Sequence, residues 1–259
     1  MKKFVHILAA LAVCTCMLLT ACGNSESNTG NNNNNSSNIG NNANANNNED
    51  NNNDNNDNDN DNNSNDSSND NNDSSNDNSS GSEKVEYSHG TFDENGKYTN
   101  KFIGIGADFN TDEWIAFDDD YLSAYNGGVS SEDDLKSRLE SNNMVYEMMV
   151  GKETGSNINV VIQKIGNSVS EEEYIDYNLE VIEDQLVSTG TMEDPHASKK
   201  SVSFAGASRF ALDVEGSSDG LELYERIIAI KRGEYICMIT ITAQSDGERD
   251  EFTSMFYGA

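Results

Sequence analysis

"LELYERIIAIKRGEYICMITITAQ", residues 221–244, is two apolar runs joined at Arg232-Gly233. Side chains alternate sides along a strand, so in the second run Tyr235, Cys237, Ile239 and Ile241 point one way. Ile236, Met238, Thr240 and Thr242 point the other way. Both rows are largely apolar, and a hairpin of that kind must be covered on both faces. Its neighbours in sequence supply the covers. In "SEEEYIDYNLEVIEDQLVSTG", residues 170–190, Ser170 and Glu173 form a capping box and Ile175, Leu179, Ile182 and Leu186 recur at helical spacing. Gly190 then ends the helix. A last helix is expected from about Glu248 to Phe256. The predicted class is α+β: a mainly antiparallel sheet with helices on both faces.

Working outward, "KKSVSFAG" (199–206) and "SRFALDVEG" (208–216) read as further strands. So do "MVYEMMVGK" (144–152), with Met144, Tyr146, Met148 and Val150 sharing a face, and "NINVVIQKIG" (157–166), with Ile158, Val160 and Ile162 together. Two short helices are expected in "DDDYLSAYNGG" (118–128) and "SSEDDLKSRLESN" (130–142), the latter capped by Ser131. "EYSHGTFDENGKYTNKF" (86–102) reads as a hairpin turning at Asn95-Gly96, and "FIGIGADF" (102–109) as the next strand.

The N-terminus has a different character. Lys2 and Lys3 precede an apolar run from Phe4 to Leu19, the layout of a secretory signal. Leu19-Thr20-Ala21-Cys22 resembles the bacterial lipobox. That resemblance implies cleavage between Ala21 and Cys22 and lipidation of the Cys22 thiol, which anchors the chain in a membrane. From Asn24 to Glu83 the chain is rich in Asn, Asp, Ser and Gly and lacks the apolar surface needed to offset its ordering entropy. The predicted organisation is a lipoprotein signal peptide at 1–21, lipidated Cys22 and a disordered linker over 22–83, and one α+β domain over 84–259. At about 5–6 Å × √n, the linker reaches roughly 40–45 Å.

The formal net charge of −30 shows no basic footprint for nucleic acid. Once the signal is removed, Cys22 and Cys237 are the remaining cysteines, and Cys237 reads as a buried small hydrophobe in an apolar strand. No catalytic triad, phosphate loop or His-Cys metal spacing is visible, and no cofactor is predicted. His89 and His196 read as solvated loop residues. Asp108, Asn110, Asp112 and Asp119 resemble ligands of a calcium loop, but Glu113 stands where that loop needs glycine. Tyr121, Tyr125, Tyr146, Tyr174 and Tyr177 read either as an aromatic platform or as amphipathic rings edging a core.

Tyr98-Thr99-Asn100, the strand from Gly104 to Phe109, Trp114, "VSFAG" at 202–206 and "IKRGEY" at 230–235 resemble the PsbP-like fold. The layout of lipobox, polar linker and acidic domain is similar to surface lipoproteins of Gram-positive bacteria. The chain departs from the family in carrying Asp112-Glu113 before the tryptophan, where Pro-x-Gly is usual. The resemblance implies an accessory or assembly role without catalysis. The expectation is therefore a non-enzymatic, lipid-anchored protein on the outer face of the membrane that binds an envelope protein partner. The alternative is a binder of a small ligand or of wall glycan, and a hydrolase using a carboxylate pair is the third reading.

Overall fold

A computed structural model describes residues 86–259. The signal, the cleavage site at Ala21–Cys22, the lipidated Cys22 and the linker up to residue 83 lie outside these residues. Fifteen elements follow: β1 (Thr91–Phe92), β2 (Lys97–Asn100), β3 (Ile105–Asp108), β4 (Trp114–Ala116), α1 (Asp119–Tyr125), α2 (Glu132–Glu140), β5 (Val145–Lys152), β6 (Asn157–Lys164), α3 (Glu171–Ser188), β7 (Glu193–Phe204), β8 (Ala207–Ser218), β9 (Leu221–Arg232), β10 (Tyr235–Ala243), α4 (Asp246–Ser254) and β11 (Phe256–Gly258). They make an α+β fold of two antiparallel sheets. One has the order β4-β5-β6-β10-β9-β8-β7 and the other β1-β2-β3-β11.

The central hairpin forms as its alternation dictates. Tyr235 pairs with Arg232 and Ala243 with Tyr224. The turn is closed at Gly233, whose φ of 57° suits glycine in a tight connection. Cys237, Ile239 and Ile241 join Ile158, Val160, Ile162, Ile228 and Ile230 in one core, capped by Leu135 and Leu139 of α2, Phe252 of α4 and the smaller sheet. On the opposite face Ile236, Met238, Val161, Ile227 and Ala229 pack beneath Tyr174, Ile175, Ile182 and Leu186 of α3 and Leu122 of α1. At about 25 cal/mol per Å² of apolar surface removed from water, these two layers dominate the stability.

Four differences from the sequence reading have physical causes. The C-terminal helix stops at Ser254, and Phe256–Gly258 becomes a strand, with Phe256 opposite Ala107 of β3. In α3, Leu179 is only partly buried, and Tyr174 and Asn178 complete the buried stripe. His196 lies on β7 opposite Glu215, not in a loop, after a register shift between Glu193 and His196. The face assigned to Met144, Tyr146, Met148 and Val150 is split: Tyr146 belongs to the α3 side, whereas Met148 and Val150 belong to the other core. A β-bulge causes the split, because Tyr146 stands opposite Val161 and Met148 opposite Val160. The extra residue is Glu147.

Among the described residues no helix is long and apolar enough to cross a membrane.

Candidate functional site

Glu147 sits at the bulge with no exposed side-chain surface. A buried carboxyl is costly unless it is hydrogen-bonded, and here donors converge from two segments. Tyr87 Oη donates to Oε2 at 2.7 Å and Asn100 Nδ2 donates to Oε1 at 2.7 Å, while the Gly90 backbone N–H also donates to Oε1. Asn100 Nδ2 reaches Tyr98 Oη as well, at 3.2 Å, and its Oδ1 accepts from the Ile103 N–H at 2.8 Å. Burial, reinforced by the nearby Glu147, pushes the phenol pKa values of Tyr87 and Tyr98 far up, so both stay protonated.

His89 completes the cluster. Its Nδ1 is 3.1 Å from Glu147 Oε2, and its Nε2 is 3.5 Å from Asp119 Oδ1 at the start of α1. The ring is thus mostly buried rather than the solvated loop residue expected. Burial pulls the imidazole pKa down, but the hydrogen bond and charge of Glu147, joined by Asp119, outweigh it and hold the pKa above 6.5.

Beside this cluster opens a cavity of about 410 Å³. Its apolar lining includes Phe92, Tyr98, Phe117, Leu122 and Met148, and its charged lining is Asp118, Asp119, Glu147 and His89, with no Lys or Arg. The lining combines an apolar floor with a few polar groups on one side. Its walls come from β1, β2, β4, β5 and α1. Asp118 caps α1 by accepting from the Tyr121 N–H at 2.9 Å, which fixes the acidic rim.

Both nitrogens of His89 face carboxylates, an arrangement that a ring carrying both protons serves as a double donor. Cys237 is buried in the core and its thiol pKa is pushed up by burial, the reverse of an activated nucleophile.

A second buried polar cluster is structural. Arg226 grips Asp213 with two hydrogen bonds of 2.7 and 2.8 Å and reaches Asp250 at 2.7 Å and Thr253 at 3.0 Å. Arg249 lies 3.3 Å from Asp213 and also pairs with Asp246. These contacts bolt α4 onto β8 and β9.

The other residues singled out in the sequence are dispersed. Asp108 accepts from Tyr257 Oη at 3.3 Å. Asn110 Oδ1 accepts from the Asp112 N–H at 3.1 Å in a turn leading into β4. Asp119 faces His89. Among the described residues no group of three or more His, Cys, Asp or Glu side chains is arranged to hold a metal ion. Of the five tyrosines, Tyr121, Tyr125 and Tyr146 stack in a row with Phe117, at centroid spacings of 4.6, 5.6 and 5.2 Å. Tyr174 turns inward onto Met238 Sδ at 2.8 Å, and Tyr177 faces solvent. Sequence reasoning passed over Tyr87, Asn100 and Glu147. The available signal was a lone acid inside the apolar run "VYEMMV".

The fold and the site define an α+β protein of two antiparallel sheets with an acidic cavity beside a histidine held between two carboxylates. No protein family matches the chain, and no curated protein does. Among solved structures, PA94 of Pseudomonas aeruginosa, described as a protein of unknown function and putative regulator, is similar at 20% identity and a TM-score of 0.25. The match covers 34% of this chain and 59% of that one. LpqN of Mycobacterium tuberculosis, described as involved in cell envelope biogenesis, is similar at 10% identity and a TM-score of 0.28, covering 39% of this chain and 62% of its own. The chain therefore spans about six tenths of each of these neighbours. Likenesses this distant leave the site to be read from its own geometry.

Proposed function

We propose that this is a lipid-anchored protein on the outer face of the cell membrane whose domain binds a small organic cation without turning it over. The anchor is Cys22, and the polar linker over 22–83 holds the domain away from the surface. The PsbP-like reading rests on the residues quoted above and on the order of elements. The observation that carries the binding reading is the cavity beside His89 and Glu147. Its charged walls are acidic apart from His89, and the rings of Phe92, Phe117 and Tyr98 suit an apolar body and can face a cation. A protein partner is the second reading, favoured by large apolar side chains left exposed at Tyr177 and Val187 on α3 and at Leu221.

The test has two arms. Metabolic labelling with a fatty-acid analogue should mark the wild type, and Cys22→Ser should remain unprocessed and unlabelled. A thermal-shift screen of amines, alcohols and carboxylates should raise the Tm with amines. Ala116→Trp, a substitution of an exposed lining residue, should abolish that rise without lowering the Tm of the free protein. Labelling of the serine variant would overturn the anchor. Equal shifts with carboxylates, or shifts that persist in the tryptophan variant, would overturn the site.

A further inference from the structure

We propose that residues 86–90 form a strap, latched by His89 between Glu147 and Asp119, that loosens as pH rises and opens the cavity beside it. Three of the partners of Glu147 (Tyr87, His89 and Gly90) lie within four consecutive residues of this one segment. The strap lies flat on the core: a Cβ added at Gly90 would stand 2.5 Å from Tyr98 Oη. It also walls the cavity, whose lining runs through His89, Gly90, Thr91 and Phe92.

The far end of the strap is fixed. Thr91 pairs with Thr99 and Phe92 with Tyr98 in β1–β2, and the Phe92 and Tyr98 rings are 5.1 Å apart. The near end is held by Tyr87, whose buried ring packs edge-on against Phe102 at 5.5 Å, and otherwise by groups that depend on charge or lie at the surface. Glu86 pairs with Lys136, and the His89 N–H donates to Glu132 Oε2 at 3.2 Å. The hinge therefore falls between Gly90 and Thr91.

Around the His89 ring stand Glu147 of β5, Asp118 at the cap of α1 and Asp119 within it, Glu132 of α2, Tyr87 of the strap and Tyr98 of β2. No basic group is among them. A protonated imidazole donates from both nitrogens and can serve Glu147 and Asp119 together. The neutral ring keeps one N–H and can serve only one of them. Because the folded pKa lies above 6.5, the latch is complete below about 6.5 and is lost as pH rises through the higher folded value.

As a gate, the strap rests on the ligand-binding reading. Its motion is read without any ligand, so the two can fail separately. Hydrogen exchange by mass spectrometry on the full-length protein in micelles, from about pH 5.5 to 8.5 and corrected for intrinsic rates, tests it. Protection of the peptide spanning 86–92 should fall about fivefold across that range in the wild type, the difference between a charge-assisted and an ordinary hydrogen bond. It should be flat in His89→Gln, and Asp119→Asn should move the transition to lower pH. The β9–β10 peptides report whether each variant is folded. Identical profiles in wild type and His89→Gln, or a fall shared by β9–β10, would overturn the strap.

Discussion

A carboxyl group without exposed surface survives at Glu147 because Tyr87, Gly90, Asn100 and His89 all turn toward it. Removing it leaves those donors without their shared acceptor. Glu147→Ala is therefore expected to cost about 3–5 kcal/mol in urea unfolding, the range for breaking a buried charged pair. Glu147→Gln keeps one acceptor and should lose roughly 1–3 kcal/mol. A loss below about 0.5 kcal/mol for the alanine variant, the level of a surface substitution, would mean that these hydrogen bonds contribute little. The acid was visible in the sequence, but its donors were not. Tyr87 and His89 lie 60 and 58 residues away along the chain, and only the folded sheet brings them to it.

At the level of elements, legibility followed periodicity. The β9–β10 hairpin and α3 repeat their apolar positions long enough to reveal both conformation and buried face. The α3 capping box is present as read, with the Ser170 N–H donating to Glu173 Oε2 at 2.8 Å and the Glu173 N–H to Ser170 Oγ at 3.2 Å. Ser170→Ala should cost about 1 kcal/mol in equilibrium unfolding. A neutral result would mean that packing on the sheet sets this helix end unaided. The bulge at Glu147 escaped notice because one extra residue shifts the alternation after Tyr146, and nothing in "MVYEMMV" marks the slip. In the smaller sheet the β1–β2 hairpin and β3 were legible, and β11 escaped for another reason. It is three residues long, too short for a pattern, and finds its partner β3 only across the length of the domain.

For the whole molecule, two sheets share one core, and helices cover the second face of the larger sheet. The cavity lies where strands of both sheets and the start of α1 meet, beside the first described residues. The strap, residues 86–90, walls the acidic cavity. Composition pointed toward a soluble, strongly acidic domain, whereas a binding site with a small cation as its guest depends on which acids the fold gathers. The most direct measurement is an NMR titration of the full-length protein in micelles with n-hexylammonium, hexanol and hexanoate in parallel. It would follow the methyl groups of Met148, Leu122 and Ala116 and the imidazole of His89. Saturable shifts with hexylammonium, confined to those groups and absent in Ala116→Trp, are the result expected. A silent cavity, or a response centred on Met238 or Met192, which do not line it, would contradict it.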